Sequence, residues 1–131
     1  MSYYCQKDPN WGNLTLGNTK LTMARYGCYV TSIAMLEGIQ PDVLLDILNK
    51  GNAFNNQGAL LNVRAADLLN RSYERSFMPE GMCIAETNFY INRVFSQHFF
   101  LWLNDRNKIV DPLTGTRKNN NYKIVSYRIF R

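Results

Sequence analysis

An α+β domain, with its helices before its strands, is the fold class this sequence predicts. Three observations carry that expectation. Aliphatic residues three and four apart recur between 28 and 71, punctuated by glycine and proline, while runs rich in aromatic and β-branched residues recur after 82 between turn-forming residues. The two patterns are segregated along the chain and do not alternate, which favours a helical half packed on a C-terminal antiparallel sheet over a parallel α/β design. At 131 residues and 46% hydrophobic content the chain can build one sizeable core, so residues 1–131 are read as a single domain.

Each element has a local reason. Residues 1–27 hold Asp8-Pro9-Asn10, three glycines and no sustained period, and read as a long arm with turns. A helix is expected from Cys28 to Gly38, where glycine suits a left-handed C-cap. Val30, Ile33 and Leu36 would form its inward stripe, with Thr31 and Ser32 as polar positions. Pro41 suits the first position of a second helix, and VLLDILNK (43–50) continues it until Gly51. ALLNVRAADLLNR (59–71) predicts a third helix, with Leu60, Val63 and Leu68 toward the core. Pro79 and Gly81 mark a turn into MCIAET (82–87), a strand, after which Asn88 and Asn92 interrupt the pattern. HFFLWL (98–103) gives the strongest strand signal. Asn104, Asp105, Arg106 and Asn107 then lead into KIVDPL (108–113), a hairpin pattern, and YKIVSYRIF (122–130) supplies a last strand after Gly115.

Composition removes several function classes. The net charge of +5 favours an anionic partner, but the basic residues are scattered, so no specific nucleic-acid contact is predicted. Three cysteines, Cys5, Cys28 and Cys83, form no CxxC pair and leave one unpaired, which argues against a disulfide scaffold. With a single histidine, neither a structural zinc site nor any metal or cofactor is expected. There is no phosphate loop, dinucleotide fingerprint or HExxH sequence. MSYYCQKDPNW has no apolar core, so neither a signal peptide nor a membrane span is expected, and the chain reads as cytoplasmic at synthesis.

The chemistry concentrates on Cys28 and His98. A cysteine at a helix start meets unpaired amide donors and positive potential, which favour a thiolate. The hairpin then allows a geometric expectation. If Leu103 pairs with Lys108, opposed residue numbers sum to 211, so Phe100 faces Asp111 and His98 faces Leu113. His98, Phe100 and Asp111 then share a face, with His98 and Asp111 as diagonal neighbours whose Cβ atoms lie roughly 7 Å apart, within reach of an imidazole and a carboxylate. Asp111 would orient His98, and the other imidazole nitrogen would take the Cys28 proton. The Cys28 amide is a natural donor to an oxyanion, and Gln6 is a second candidate. Bland alternatives stand beside each: Cys28 as a buried helix residue, His98 as a strand residue, Asp111 as a turn former before Pro112. Trp102 shares the His98 face and is expected beneath the imidazole.

QKDPNWG (6–12), YGCYVTSIAM (26–35) and QHFFLWLNDRNKIVDP (97–112) together resemble the C39-like branch of the papain-like cysteine peptidases. The resemblance spans positions 6 to 112. It implies a papain-like fold with Gln6 as oxyanion donor, Cys28 as nucleophile, His98 as base and Asp111 as orienting acid, with Gly27, Tyr29 and Trp11 against the substrate. Two positions depart from the family pattern: Tyr29 follows Cys28 where glycine or alanine is frequent, and Gln97 precedes His98 where glycine is frequent. The implied activity is hydrolysis of a peptide or amide bond, with peptidoglycan cross-peptides implied by the resemblance, since C39-like domains occur among wall-acting proteins and a basic chain suits an anionic wall, and with leader-peptide processing as another family activity. Action at a cell wall would then need another release route, as in a phage lysin working from within its host. The alternative from a different class is an inactive papain-like binding or inhibitory protein presenting Tyr3, Tyr4, Tyr26 and Tyr29 to a protein partner.

Overall fold

The computed structural model describes residues 1–131 as an α+β fold of four helices and one six-stranded antiparallel sheet. In chain order these are α1 (Met23–Tyr26), α2 (Cys28–Glu37), α3 (Pro41–Lys50), α4 (Asn62–Leu68), β1 (Tyr73–Ser76), β2 (Cys83–Ile91), β3 (Val94–Trp102), β4 (Lys108–Asp111), β5 (Thr116–Asn119) and β6 (Ile124–Phe130). The sheet order is β1-β6-β2-β3-β4-β5, every pairing antiparallel. No helix is long and apolar enough to cross a membrane.

The helices cover one face of the sheet, as the segregated pattern predicts. Met23, Val30, Ile33, Met35, Leu44, Leu45 and Leu48 from the helical half join Ile84, Phe99, Leu101 and Val110 of the sheet in one core. Each fully buried aliphatic side chain contributes about 1.5–3 kcal/mol. A second, smaller cluster of Ala85, Phe100 and Ile109 lies on the opposite face, flanked by Trp102, Tyr122, Ile124 and Tyr127. The alternation of strand side chains explains the split: Phe99 and Leu101 point to the helices, and His98, Phe100 and Trp102 point away.

Both expected bounds of α2 hold: Cys28 is its first residue, and Gly38 closes it at φ +69°. Its sides differ from the expected stripe. Val30 through Met35 are all buried, including Thr31 and Ser32, because α2 is enclosed by α3 on one side and β3 on another. A helix surrounded by protein has no solvated face, so period 3.6 cannot be read from it. Helix α3 is amphipathic and runs from Pro41 at its first turn to Gly51, as expected. The third expected helix shrinks to α4, which starts at Asn62, and Val63 is exposed.

The arm is more ordered than its turns suggest. A bridge pairs Thr15 with Thr22, and residues 23–26 form the turn of helix α1. Trp11 is buried within the arm, donates through Nε1 to the Cys5 carbonyl at 2.8 Å and meets Tyr4 edge-on. In the strand half, β2 and β3 form one continuous hairpin from Cys83–Trp102 pairing to Ile91–Val94 pairing, where the sequence suggested an interruption at 88–93. Asn92 and Arg93 close it with φ +50° and +67°, the two left-handed residues of a tight I′-type turn. The strands β1 and β5 were not expected; they sit at the two edges of the sheet.

Candidate functional site

The β3–β4 hairpin has the register that the loop chemistry predicts. Leu101 pairs with Val110 and Trp102 with Ile109, each pair summing to 211, and the Leu103 amide donates to the Lys108 carbonyl at 3.1 Å. His98 and Asp111 are therefore diagonal neighbours on the face away from the helices. The His98 Nε2 and Asp111 Oδ1 atoms lie 2.9 Å apart, and both residues are buried. This contact commits Nε2, so Nδ1 is the ring nitrogen left for the Cys28 sulfur, which neighbours the imidazole and lines the same cleft.

Asp111 is held from four directions. Its Oδ1 also accepts from the Leu113 amide at 3.0 Å, while Oδ2 accepts from the Tyr122 hydroxyl at 2.5 Å and pairs with Lys118 Nζ at 3.2 Å. The turn-former role and the imidazole contact thus coexist in one carboxylate. Burial alone would raise its pKa, but His98, the Tyr122 hydroxyl and the Leu113 amide outweigh that and hold Asp111 well below the usual carboxylate range. For His98, burial favours the neutral ring. The hydrogen bond and charge of Asp111, with Cys28 nearby, overcome it and raise the imidazole from 6.5 to about 9.

Tyr122 and Lys118 are the site residues that sequence reasoning missed. Both lie outside the hairpin that brings His98 to Asp111, and no spacing rule connects them to it. The Tyr122 ring also packs against His98 at 5.5 Å and against Phe100 at 4.8 Å, so Phe100 and Tyr122 brace the imidazole. Trp102, expected in that role, packs instead on Tyr127, because β3 carries it two residues further from His98 toward the far end of the strand.

Gln6 joins the two layers. Its backbone amide donates to the Pro112 carbonyl at 2.7 Å, next to Asp111, while its side-chain Nε2 donates to the Ala24 carbonyl at 3.1 Å. In a continuous helix Ala24 would accept from the amide of Cys28, four residues on. Gln6 takes that acceptor, which leaves the Cys28 amide among the leading N–H groups of α2 that have no partner within the helix, and both residues line the same cleft. The break at Gly27 depends on its missing side chain. A Cβ there would come within 2.5 Å of the Met23 carbonyl oxygen and 2.7 Å of its sulfur. The β4–β5 turn approaches the arm as closely at Gly115, where a Cβ would lie 2.9 Å from the Cys5 amide nitrogen.

A cleft of about 760 Å3 opens over these groups, within the range of ligand-binding clefts. Gln6, Cys28, Tyr29 and His98 line it. Trp11 and Gly27, both expected against the substrate, do not: Trp11 is consumed in anchoring the arm and Gly27 is buried against Met23. Tyr29 forms the floor, stacked on Phe99 at 4.2 Å and donating to Asn62 Oδ1 at 2.5 Å. Beneath it Arg128 and Glu86 form a buried pair at 3.0 Å, joined by Ser126 and Gln97. Tyr4 packs inward on Trp11, which leaves Tyr3 and Tyr26 as the exposed members of the arm's tyrosines. Cys83 is buried, and Cys5 donates to the Leu113 carbonyl at 3.3 Å. No three His, Cys, Asp or Glu side chains come together as metal ligands. Compared with known proteins, the chain matches no family model, no curated protein and no solved structure.

Proposed function

We propose that this chain is a papain-like, C39-like cysteine peptidase or amidase, with Cys28 as nucleophile, His98 as acid and base, Asp111 as the group that orients His98, and Gln6 with the Cys28 amide as oxyanion donors. The observation that carries the reading is the 2.9 Å His98–Asp111 contact on the imidazole that Cys28 also adjoins. A histidine raised to about 9 is protonated at neutral pH, the state in which it can serve as acid toward a leaving amine.

Each step has its group. The Cys28 sulfur adds to the substrate carbonyl carbon, and the negative charge gathering on oxygen is met by the Cys28 amide and Gln6 Nε2. Collapse of the tetrahedral species breaks the C–N bond as His98 gives its proton to the leaving amine, leaving a thioester on Cys28. Water, losing a proton to His98, then attacks the thioester and frees the acid and the thiol. Asp111 keeps the ring in place throughout, and Tyr122 and Lys118 keep Asp111 in place.

The net charge of +5 keeps peptidoglycan peptides among the substrates to be tried, and linear peptides belong beside them. The test incubates the protein with purified sacculi and with a mixed peptide library in parallel. Cleavage of either that disappears in Cys28→Ala is the expected result. Cleavage that persists in Cys28→Ala would reject this nucleophile, and an inert wild-type protein would favour the binding-protein reading.

A further inference from the structure

The tip of the β2–β3 hairpin carries Phe89, Tyr90, Ile91, Val94 and Phe95, each between 38% and 71% exposed. An apolar ribbon left in water needs a reason, since an exposed apolar strand edge invites pairing with another chain. Its neighbours stop short of it. On one side, β6 pairs with β2 only as far as Thr87; on the other, β4 pairs with β3 at Leu101 and Trp102. The hairpin therefore projects past the sheet, and the first half of β3 has β2 on one side and no strand on the other.

The ladder fixes which backbone groups are free. In an antiparallel strand the N–H and C=O groups of alternate residues point to opposite sides. Leu101 and Leu103 turn theirs toward β4, so Phe95 and Gln97 turn theirs the same way, beyond the end of β4, where no ladder reaches them. This free edge borders the cleft. Five successive β3 residues, Phe95 through Phe99, line it, although their side chains alternate between the two faces. A cavity that touches all five runs along the strand's edge, and it ends at His98 and Cys28.

We infer that the outer edge of β3 at Phe95 and Gln97 is the substrate platform, and that the substrate is a linear polypeptide segment held as an added strand with apolar side chains against Phe89, Ile91 and Phe95. This deepens the cysteine-peptidase reading and rests on it. Backbone pairing supplies affinity in such added strands, and pockets for alternate side chains supply selectivity. The edge runs into the His98 position, so a strand seated there carries a carbonyl toward Cys28. A segment of alternating L and D residues, as in wall cross-peptides, cannot keep both its backbone register and its side chains on this platform, and sacculi are expected to be poor substrates.

The probe is reduced, carboxymethylated α-lactalbumin, an unfolded polypeptide. Its fragments are sequenced, and a peptide spanning the preferred cut is then made with single N-methyl groups placed one residue at a time along the segment flanking the cut. N-methylation removes one donor, so an added strand predicts an alternating response in wild-type protein: at least tenfold lower kcat/KM at positions of one parity and little change between them. In parallel, Phe95→Pro removes an edge donor without touching the β2 ladder, and it should raise KM on the unmethylated peptide more than Phe95→Ala does. Acetylation of Cys28 by p-nitrophenyl acetate, followed by mass spectrometry, reports the nucleophile independently. A flat response to N-methylation, or cleavage of sacculi in preference to the unfolded chain, would overturn the platform while Cys28 acetylation still upheld the peptidase reading. Failure of both acetylation and cleavage would remove the reading beneath it as well.

Discussion

Asp111 is the residue on which the site turns, because it satisfies His98, the Leu113 amide, Tyr122 and Lys118 with two oxygens. The Tyr122 hydroxyl is the donor whose removal changes least else, since its ring would still brace His98 in Tyr122→Phe. A hydrogen bond to a charged group is worth about 1.5–3 kcal/mol. Losing it in the transition state alone should lower kcat roughly tenfold or more with KM little changed, which steady-state kinetics on a cleaved peptide would measure. Cys28 offers a second check that needs no substrate. It lies partly exposed in the cleft beside His98, whereas Cys83 is buried. Iodoacetamide followed by peptide mapping should modify Cys28 before Cys5 or Cys83, with His98→Ala slowing Cys28 selectively. Equal labelling of all three thiols in the folded protein would count against the pairing of Cys28 with His98.

Elements with a clear period, a dense run of aromatic and β-branched residues or a strong turn signal were legible in the sequence, β3 among them although it is buried on both faces; the sides of an enclosed helix and the short polar strands were not. Helix α3 and the β3–β4 register followed from period and turn chemistry, and that register alone places His98 diagonal to Asp111. Helix α2 kept its bounds but lost its stripe, because the core surrounds it and Thr31 and Ser32 are buried with their neighbours. The hairpin tip fails in the opposite sense: it projects beyond the sheet with apolar residues on both faces, so no polar alternation marks it. The strands β1 (YERS) and β5 (TRKN) are short, charged edges, the composition that protects a sheet margin and hides a strand. Tyr122, Lys118 and the bond from Gln6 to Ala24 depend on where whole elements dock, which local pattern does not encode. The α1–α2 junction gives the element-scale prediction. Gly27→Ala forces a methyl against Met23, and overpacking of this kind costs about 1–3 kcal/mol. It should lower the denaturation midpoint and, by displacing the first turn of α2, slow Cys28 labelling as well.

The two halves of the molecule meet at the site: α2 supplies Cys28 from the helical layer, β3 and β4 supply His98 and Asp111 from the sheet, and the arm ties them through Gln6. Protonation at this junction is consequently coupled to global folding. His98 is raised from 6.5 to about 9 in the folded state, so its stabilisation is complete below about pH 6.5 and is lost as pH rises through about 9. A difference of that size corresponds to a loss on the order of 3 kcal/mol. Asp111 and Glu86 have depressed folded values, held down against burial by His98 and Tyr122 in one case and by Ser126 and Arg128 in the other. Their contribution is present above the ordinary carboxylate range and fades in acid as pH falls through the folded values. Stability should therefore be highest between about pH 5 and 6.5 and should decline toward pH 9, although the net charge of +5 alone would favour moving toward neutrality at high pH. Urea unfolding at pH 6, 7.5 and 9 measures this decline. His98→Ala should flatten it, and Cys28→Ala should reduce it without abolishing it, since Asp111 still holds the imidazolium; an unchanged decline in His98→Ala would show that the coupling lies elsewhere.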